Sequence, residues 1–239
     1  MQLSSALAPP DPHMNYDRIY QYRFRGVERA KKIATWKILA GFVGEKLGRA
    51  QIVLDPAAGA CEFINAVPAR ERWAVDMGEQ VAQLAEPGVR SIVGMNTTVD
   101  LPKNHFEGVF VSNFLEHLGS QTEVAAFLER MFEVTALGGR IAVMGPNFRA
   151  CHREYFDFAD HTVVLTERAV AEHLYAAGFE LLEVHPRFLP VSFGAGLPVN
   201  DFLVKTYLKL PFAWRFFGKQ FLLVAEKPRV SNKPTQRLS

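Results

Sequence analysis

The sequence has 239 residues, of which 49% are hydrophobic, and its 27 basic residues nearly balance its 25 acidic ones. These values predict one soluble globular domain with some elaboration, and a formal net charge of +2 is too small to indicate nucleic-acid binding. No apolar run reaches the roughly 18 residues of a membrane helix, and the start lacks the regions of a signal peptide, so we expect a cytoplasmic protein.

The first 49 residues precede the main domain. Residues 1–13 contain three prolines and no hydrophobic periodicity, which predicts a flexible arm. Residues 14–49 are predicted to form a helical cap, because apolar residues recur at helical spacing over 33–43 and a glycine follows at position 48. The cap begins with basic and aromatic residues, YDRIYQYRFR, which indicate either a lid over a ligand or a surface that recognises an anionic substrate.

The pattern changes at residue 50 to short apolar runs separated by helical stretches. The runs are continuous instead of alternating, which is typical of strands buried on both faces of a parallel sheet. They predict strands over 51–55, 72–76, 89–93, 108–113 and 140–145, and the stretches predict helices over 61–66, 78–85, 121–135 and 166–177. Two more strands follow Gly178, with an apolar insertion over 188–217 between them, and the last strand is expected to be antiparallel. The predicted fold class is α/β: a Rossmann-like, doubly wound, mainly parallel sheet of seven strands in one domain over 50–239.

Acidic residues follow the first two predicted strands. Asp55 ends the first strand, in the stretch LDPAAGACEF, and Asp76 ends the second. Ligands of open α/β sheets bind beyond the carboxyl ends of the strands, and a carboxylate can accept hydrogen bonds from both hydroxyls of a ribose. The first turn lacks the G-x-G-x-x-G pattern of dinucleotide sites, so it suits a cationic amino-acid tail better than a diphosphate.

Several motifs together resemble the class I S-adenosylmethionine-dependent methyltransferases, specifically the small methyltransferase-domain group. They are VLDPAAGACEF, WAVDMGE, LPKNHFEGVFVSNFLEHL, TALGGRIAVMGPN and LTERAVAEHLYAAGFELLEV, within residues 50–186. The resemblance implies S-adenosylmethionine as the cofactor and methyl transfer as the activity. It implies cofactor-binding roles along the chain: Asp55, Ala57 and Gly59 for the methionine tail, Asp76 for the ribose, Met77 and Asn96 for the adenine, and Asn113 before the acceptor.

Two departures from the family pattern keep a second function open. The family usually has glycine where this chain has Ala57 and Cys61, and each added Cβ narrows the pocket, although small side chains fit wherever φ is negative. The alternative to an enzyme is therefore a non-catalytic binding or scaffold module with a methyltransferase fold. Cys61 and Cys151 show no metal or redox spacing and are expected to be reduced thiols.

Two histidines and one acid are candidates for catalysis. His117 follows the fourth strand and His161 lies in the loop after the fifth, so both are expected to face one cleft. An imidazole can remove the proton of a hydroxyl acceptor, and we expect His117 to do so, with His161 and then Asp157 as the next candidates. No metal site is predicted, because Asn113 replaces the first acid of the Glu-x-x-Glu-His pattern that binds a divalent cation in some related methyltransferases.

The acceptor is predicted from two stretches near the end of the domain. Residues 146–162, PNFRACHREYFDFADHT, combine aromatic and polar side chains that suit a sugar hydroxyl, so we expect a small-molecule or glycan acceptor; the alternative is a solvated loop anchored by its aromatic residues. Residues 197–217 combine aromatic residues with lysine and arginine. They leave three roles open: contact with a membrane surface and a lipid-linked substrate, a cover over the acceptor cleft, or a homodimer interface.

Overall fold

The computed structural model describes residues 14–23, 25–26, 28–190 and 200–229. The predicted arm over 1–13 and the part of the insertion over 191–199 lie outside these ranges. The described helices are α1 (Tyr16–Arg23), α2 (Arg29–Lys46), α3 (Glu62–Ala66), α4 (Gln80–Leu84), α5 (Gln121–Val134), α6 (Phe148–Cys151), α7 (Glu167–Ala177), α8 (Asp201–Leu208) and α9 (Pro211–Phe217). The strands are β1 (Ile52–Asp55), β2 (Glu71–Asp76), β3 (Val89–Val93), β4 (Phe106–Ser112), β5 (Thr135–Pro146), β6 (Glu180–His185) and β7 (Gln220–Glu226).

The strands form one seven-stranded sheet in the order β3-β2-β1-β4-β5-β7-β6. Neighbours from β3 to β5 are parallel, and β7 runs antiparallel to both β5 and β6. The predicted fold class and the predicted antiparallel last strand are therefore confirmed. In the described ranges, none of the helices combines the length and the apolar character that crossing a lipid bilayer requires.

Helices cover both faces of the sheet, which explains why the central strands read as continuous apolar runs. On β4, Val109 and Val111 belong to the core shared with α5 and α7, whereas Phe110 points into the core shared with α2, α3 and α8. Successive strand residues face opposite sides, so a strand covered on both sides needs apolar residues at every position.

Strand order places a topological switch between β1 and β4. The chain moves outward from β1 to β2 and β3, then returns to β4 on the other side of β1. Such a reversal opens a crevice at the carboxyl ends of the strands on either side of it. Asp55, Asp76 and Asn113 all lie at this edge, because each ends or directly follows a strand.

Two strands, β4 and β5, begin at least two residues before the position that the sequence predicts. β5 begins at Thr135 and β4 at Phe106, because these residues pair with each other ahead of a register shift in the ladder. The segment between β3 and β4 contains no helix, as its short polar sequence predicts. Helix α2 lies where the spacing of apolar residues predicts a helix.

Candidate active site

The turn after β1 is a tight loop held against β2. The Ala58 N–H donates to the Val75 carbonyl at 2.9 Å, and the Cys61 N–H donates to the Ala58 carbonyl at 2.7 Å. Gly59 has a φ of +50°, and a Cβ added there would meet no atom within 4 Å. The turn therefore presents backbone to open space at the sheet edge, which is the geometry that a ligand in close contact with the main chain requires.

Asp76 joins the turn after β1 to the turn after β2. Its Oδ2 accepts a hydrogen bond from the Gly59 N–H at 2.8 Å, and its Oδ1 accepts one from the Gly78 N–H at 2.8 Å. Each carboxylate oxygen has a second lone pair, so Asp76 keeps the capacity to accept bonds from a ligand. The structure thus brings Asp55, Gly59 and Asp76, which are 21 positions apart at most, into one group.

The other predicted cofactor residues lie along the same edge. Met77 follows Asp76 and is half exposed. Asn96 lies on the loop after β3, where its carbonyl accepts a hydrogen bond from Arg130 Nε at 2.9 Å, which ties the loop to α5. Asn113 follows β4 with a φ of +47° and an exposed side chain.

Three carboxyl groups, those of Asp55, Asp76 and Glu62, lie around this turn. Asp55 is 5% exposed; burial raises its pKa to about 8, opposed by the Ala57 N–H bond and reinforced by the charges of Asp76 and Glu62. Glu62 forms an ion pair with Lys32 at 2.7 Å. A positively charged ligand beside Asp55 would remove the cost of ionising that carboxylate.

Cys61 requires a correction of the sequence argument. A small residue was expected to fit there with a negative φ, but Cys61 has a φ of +61° in the left-handed region at the start of α3. The thiol is fully buried, with Sγ 3.7 Å from the Val81 carbonyl, and burial raises its pKa to about 12. Cys61 and Cys151 are both free and buried.

A second group of polar side chains lies beyond β4 and β5. His117 ends the 3₁₀ turn Leu115–His117 after β4, and its ring centroid lies 5.1 Å from that of His161. The structure therefore brings the two predicted histidines together. Glu116 beside them is 1% exposed, and burial raises the pKa of its carboxyl. Burial, together with the nearby His117, lowers the pKa of His161 to about 4.

Helix α1 reaches this second group through Arg23. The Arg23 guanidinium forms an ion pair with Asp160, and it lies over the rings of Tyr20 and Phe158, 5.2 and 4.9 Å from their centroids. The Asp160 carbonyl lies 2.9 Å from His117 Nδ1. Sequence reasoning did not pair Arg23 with Asp160, because 137 positions separate them.

The remaining residues of the loop after β5 divide into anchors and exposed groups. Tyr155 is buried, and its hydroxyl donates to the Val163 carbonyl at 2.7 Å and accepts from the Leu165 N–H at 3.1 Å. Tyr155 is therefore an anchor, and burial raises the pKa of its hydroxyl far above neutrality. Asp157 is exposed, and its backbone N–H donates to the Glu154 carbonyl at 3.1 Å; Phe156 is 57% exposed.

Comparison with known proteins identifies this architecture. No protein-family model matches the sequence, and no curated protein is similar to it in sequence. A SAM-dependent methyltransferase from Archaeoglobus fulgidus superposes with a TM-score of 0.65 at 16% identity, covering 89% of this chain and all of the other. The chain has the class I methyltransferase fold.

Two further neighbours show how widely this fold is used. The [4+2]-cyclase SpnF has a TM-score of 0.58 at 17% identity and covers 80% of each chain. Geranyl diphosphate methyltransferase, solved with GPP and sinefungin, has a TM-score of 0.56 at 12% identity, covering 79% of this chain and 76% of the other. At these identities the likeness establishes the methyltransferase fold, and the reaction has to be argued from the site.

Proposed function

We propose that this protein is an enzyme that binds S-adenosylmethionine at the tips of β1 and β2 and transfers its methyl group to an acceptor beyond β4. The proposal rests on the position of the Asp76 carboxylate, which accepts hydrogen bonds from both Gly59 and Gly78 and so holds the two turns together. A second carboxyl group, that of Asp55, lies buried beside it. S-adenosylmethionine has a ribose diol and two positive centres, its ammonium and its sulfonium. An acidic pocket with an acid at the tip of β2 suits both features.

The cofactor positions in this proposal follow the order of the strand tips. The methionine tail lies along the turn of Asp55, Ala57 and Gly59, with its ammonium towards the Asp55 carboxylate. The ribose hydroxyls bind the Asp76 carboxylate. The adenine lies between Met77 and the loop of Asn96, and Asn113 lies beside the reactive end of the cofactor.

Methyl transfer needs in-line geometry and a route for one proton. A lone pair on the acceptor oxygen forms the new bond to the methyl carbon, the carbon–sulfur bond breaks, and its electron pair stays on sulfur as S-adenosylhomocysteine. Holding the two reactants in line contributes on the order of 7 to 11 kcal/mol. The acceptor proton leaves at the cluster of His117 and His161, with exposed Asp157 as the further candidate.

The acceptor class that fits the exposed loop best is a sugar hydroxyl of a glycan or polysaccharide precursor. Phe156 offers an exposed aromatic face, and Asp157 and His152 offer exposed polar groups on the same loop. Aromatic faces stack on sugar rings while carboxylates and imidazoles bind hydroxyls. Buried Tyr155 does not take part, because its hydroxyl is already bonded within the loop.

An exposed apolar surface on α8 and α9 supports a membrane-bound form of this acceptor. Its largest exposed side chains, with at least 60% of their surface accessible, are Phe202, Phe212, Phe216 and Phe217. Three basic residues lie exposed among them, Lys205, Lys209 and Arg215, against one acid, Asp201. Aromatic residues with neighbouring cations are typical of helices that lie in the interface of an anionic bilayer. We therefore assign this surface to a membrane that carries a lipid-linked sugar.

Calorimetry with S-adenosylmethionine and S-adenosylhomocysteine tests the proposed enzyme. We expect one site per chain for each ligand, and absence of binding to both would rule out the enzyme in favour of the binding or scaffold module. With binding established, lipid-linked and free sugars are offered as acceptors with methyl-labelled cofactor, and label transfer identifies the hydroxyl class. Transfer only to small non-sugar molecules would contradict the glycan assignment.

Vesicle sedimentation tests the membrane surface separately. We expect binding to vesicles that contain about one third phosphatidylglycerol and little binding to neutral phosphatidylcholine. A double variant, Phe212→Ser with Phe216→Ser, should lose most of this binding, whereas Tyr175→Ser, which removes an aromatic side chain that is 72% exposed on α7, should keep it. A stable dimer in light scattering that the double variant dissociates would assign the surface to a second copy of the chain instead.

A further inference from the structure

Three side chains of metal-binding type meet at the carboxyl edge of β4 and β5. Glu116, His117 and His161 each offer one oxygen or nitrogen atom, and the three atoms lie within 4.8 Å of one another. Two ligand atoms that bind one Zn²⁺ ion at about 2.1 Å are at most about 4.2 Å apart. Small side-chain movements therefore suffice to bring all three atoms onto a single ion.

Buried polar atoms in and beside this cluster lack hydrogen-bond partners within the described ranges. They are Glu116 Oε2, Asp160 Oδ2 and His161 Nδ1, and Glu116 and Asp160 are only 1% and 3% exposed. Asp160 Oδ2 lies 3.5 Å from His117 Nδ1, so it has a charged or polar neighbour, whereas Glu116 Oε2 and His161 Nδ1 are the two atoms that belong to the cluster itself. A buried polar atom without a partner costs about 1 to 3 kcal/mol, and a charged one costs more. Because most buried polar atoms in folded proteins are paired, the unpaired Glu116 Oε2 and His161 Nδ1 atoms in one cluster indicate a ligand that they contact.

His117 has the orientation that a metal-bound imidazole requires. Its Nδ1 lies 2.9 Å from the Asp160 carbonyl, which can only accept, so Nδ1 carries the proton and Nε2 has a free lone pair. Nε2 faces the Glu116 carboxylate, 3.9 Å from Oε1. A backbone carbonyl behind one ring nitrogen, which fixes the tautomer, is the usual support for a histidine ligand.

We propose that Glu116, His117 and His161 bind one divalent transition-metal ion, of the zinc, manganese or cobalt type. Two imidazole ligands disfavour Mg²⁺ and Ca²⁺, which prefer oxygen ligands. The sequence prediction of no metal site was based on Asn113, which replaces an acid and is exposed at the tip of β4. In the structure the third ligand is His161 instead, which lies 44 positions after His117 in the sequence.

The ion gives the two histidines a role in the proposed methyl transfer, and this part of the inference rests on that proposed function. Three protein ligands leave coordination positions open. A sugar hydroxyl in such a position has a lowered pKa, so its proton passes to water while its oxygen attacks the methyl group. His117 and His161 then hold the ion instead of acting as free bases.

Metal binding is tested on the full chain without cofactor or acceptor. The protein is stripped with a chelator, and Co²⁺ is titrated while its visible absorption is recorded; Zn²⁺ is then added in competition. We expect one Co²⁺ ion per chain, displaced by Zn²⁺. His161→Ala and Glu116→Gln should each weaken Co²⁺ binding by at least about tenfold, whereas the matched control His152→Ala, an exposed histidine of the same loop, should leave binding unchanged.

The outcomes separate this inference from the proposed enzyme. Circular dichroism identifies any variant that fails to fold. If one of the two cluster variants, His161→Ala or Glu116→Gln, fails to fold, the other one still tests the metal site. The metal site would be overturned if the wild-type chain did not bind Co²⁺ stoichiometrically, or if His152→Ala lost as much Co²⁺ binding as the cluster variants. Neither result would affect the proposed binding of S-adenosylmethionine, which calorimetry tests separately. Metal binding without cofactor binding would instead reject the enzyme and keep the metal site.

Discussion

Replacement of Asp55 by asparagine tests whether this carboxylate belongs to a site for a cationic ligand. The side chain is 5% exposed, and the Ala57 N–H bonds it at 3.3 Å. Burial raises its pKa to about 8, and the charges of Asp76 and Glu62 act in the same direction. In the free protein, ionisation of Asp55 therefore opposes folding.

The sign and size of the effect follow from two pKa values. An aspartate in an unfolded chain has a pKa near 3.9, so between about pH 4 and pH 8 the folded state keeps a proton that the unfolded state has lost. The stability linked to this proton is complete below about pH 4 and is lost as the pH rises to about 8. Four pH units at about 1.4 kcal/mol each correspond to roughly 5 kcal/mol.

Urea unfolding at about pH 5, 6.5 and 8 measures this difference. Asparagine does not titrate, so Asp55→Asn should exceed the wild type in free energy of unfolding by a few kcal/mol at pH 8 and by much less at pH 5. The control Asp100→Asn, an exposed acid, should show no such trend. A difference between Asp55→Asn and wild type that stays constant with pH would refute the reasoning.

Binding of the cofactor should reverse the preference of Asp55 for its protonated form. An ammonium beside Asp55 favours the ionised carboxylate, so binding of S-adenosylmethionine should release a proton below about pH 8 and tighten by up to about tenfold per pH unit from pH 6 to pH 8. Calorimetry in buffers of different ionisation enthalpy measures the released proton. Asp55→Asn should lose both the proton release and most of the affinity.

Three further predictions concern the same site. Asp76→Ala should weaken S-adenosylmethionine binding by about 1 to 3 kcal/mol in calorimetry, and unchanged affinity in a folded variant would remove its ribose role. Cys61→Gly should be more stable than Cys61→Ala by about 1 kcal/mol in urea unfolding, because only alanine keeps a Cβ at a φ of +61°; equal stabilities would mean that the turn relaxes. His117→Ala and His161→Ala should each lower single-turnover methylation by roughly 10² to 10⁴-fold without changing cofactor affinity, as expected if both hold a metal ion. A loss confined to His117→Ala would indicate a free imidazole base.

The sheet and the positions of Asp55 and Asp76 at its edge were predictable because their determinants are local. Continuous apolar runs identify strands covered on both faces, and a carboxylate at each of two neighbouring strand tips lies at the same edge in any parallel sheet. Asp55 and Asp76 therefore fall into place once β1 and β2 are recognised.

The conformation of Cys61 was not predictable from residue size. Glycine is preferred in the left-handed region because other residues cost about 1 to 2 kcal/mol there, so a cysteine favours the expectation of a negative φ. The turn nevertheless keeps a φ of +61° because the thiol is buried between β1, α3 and the Val81 carbonyl. Packing of the side chain overrides the backbone preference at this position.

The acceptor side of the site was harder to predict because it is assembled from distant segments. His117 comes from the turn after β4, His161 from the loop after β5, and Arg23 from α1. Strand topology predicts that the first two meet, but no pattern within 14–49 indicates that Arg23 pairs with Asp160. The burial of Glu116 was equally hidden, because a glutamate in a polar turn is usually exposed.

The helical cap contacts both parts of the site. Lys32 in α2 forms an ion pair with Glu62 directly after the β1 turn, whereas Arg23 in α1 binds Asp160 and lies over Phe158, both in the loop after β5. Asp160 in turn supports His117 through its carbonyl. The described contacts of Arg23 therefore place the end of α1 beside the His117 and His161 group, where the part-buried positive charge of Arg23 balances the buried carboxylate of Asp160.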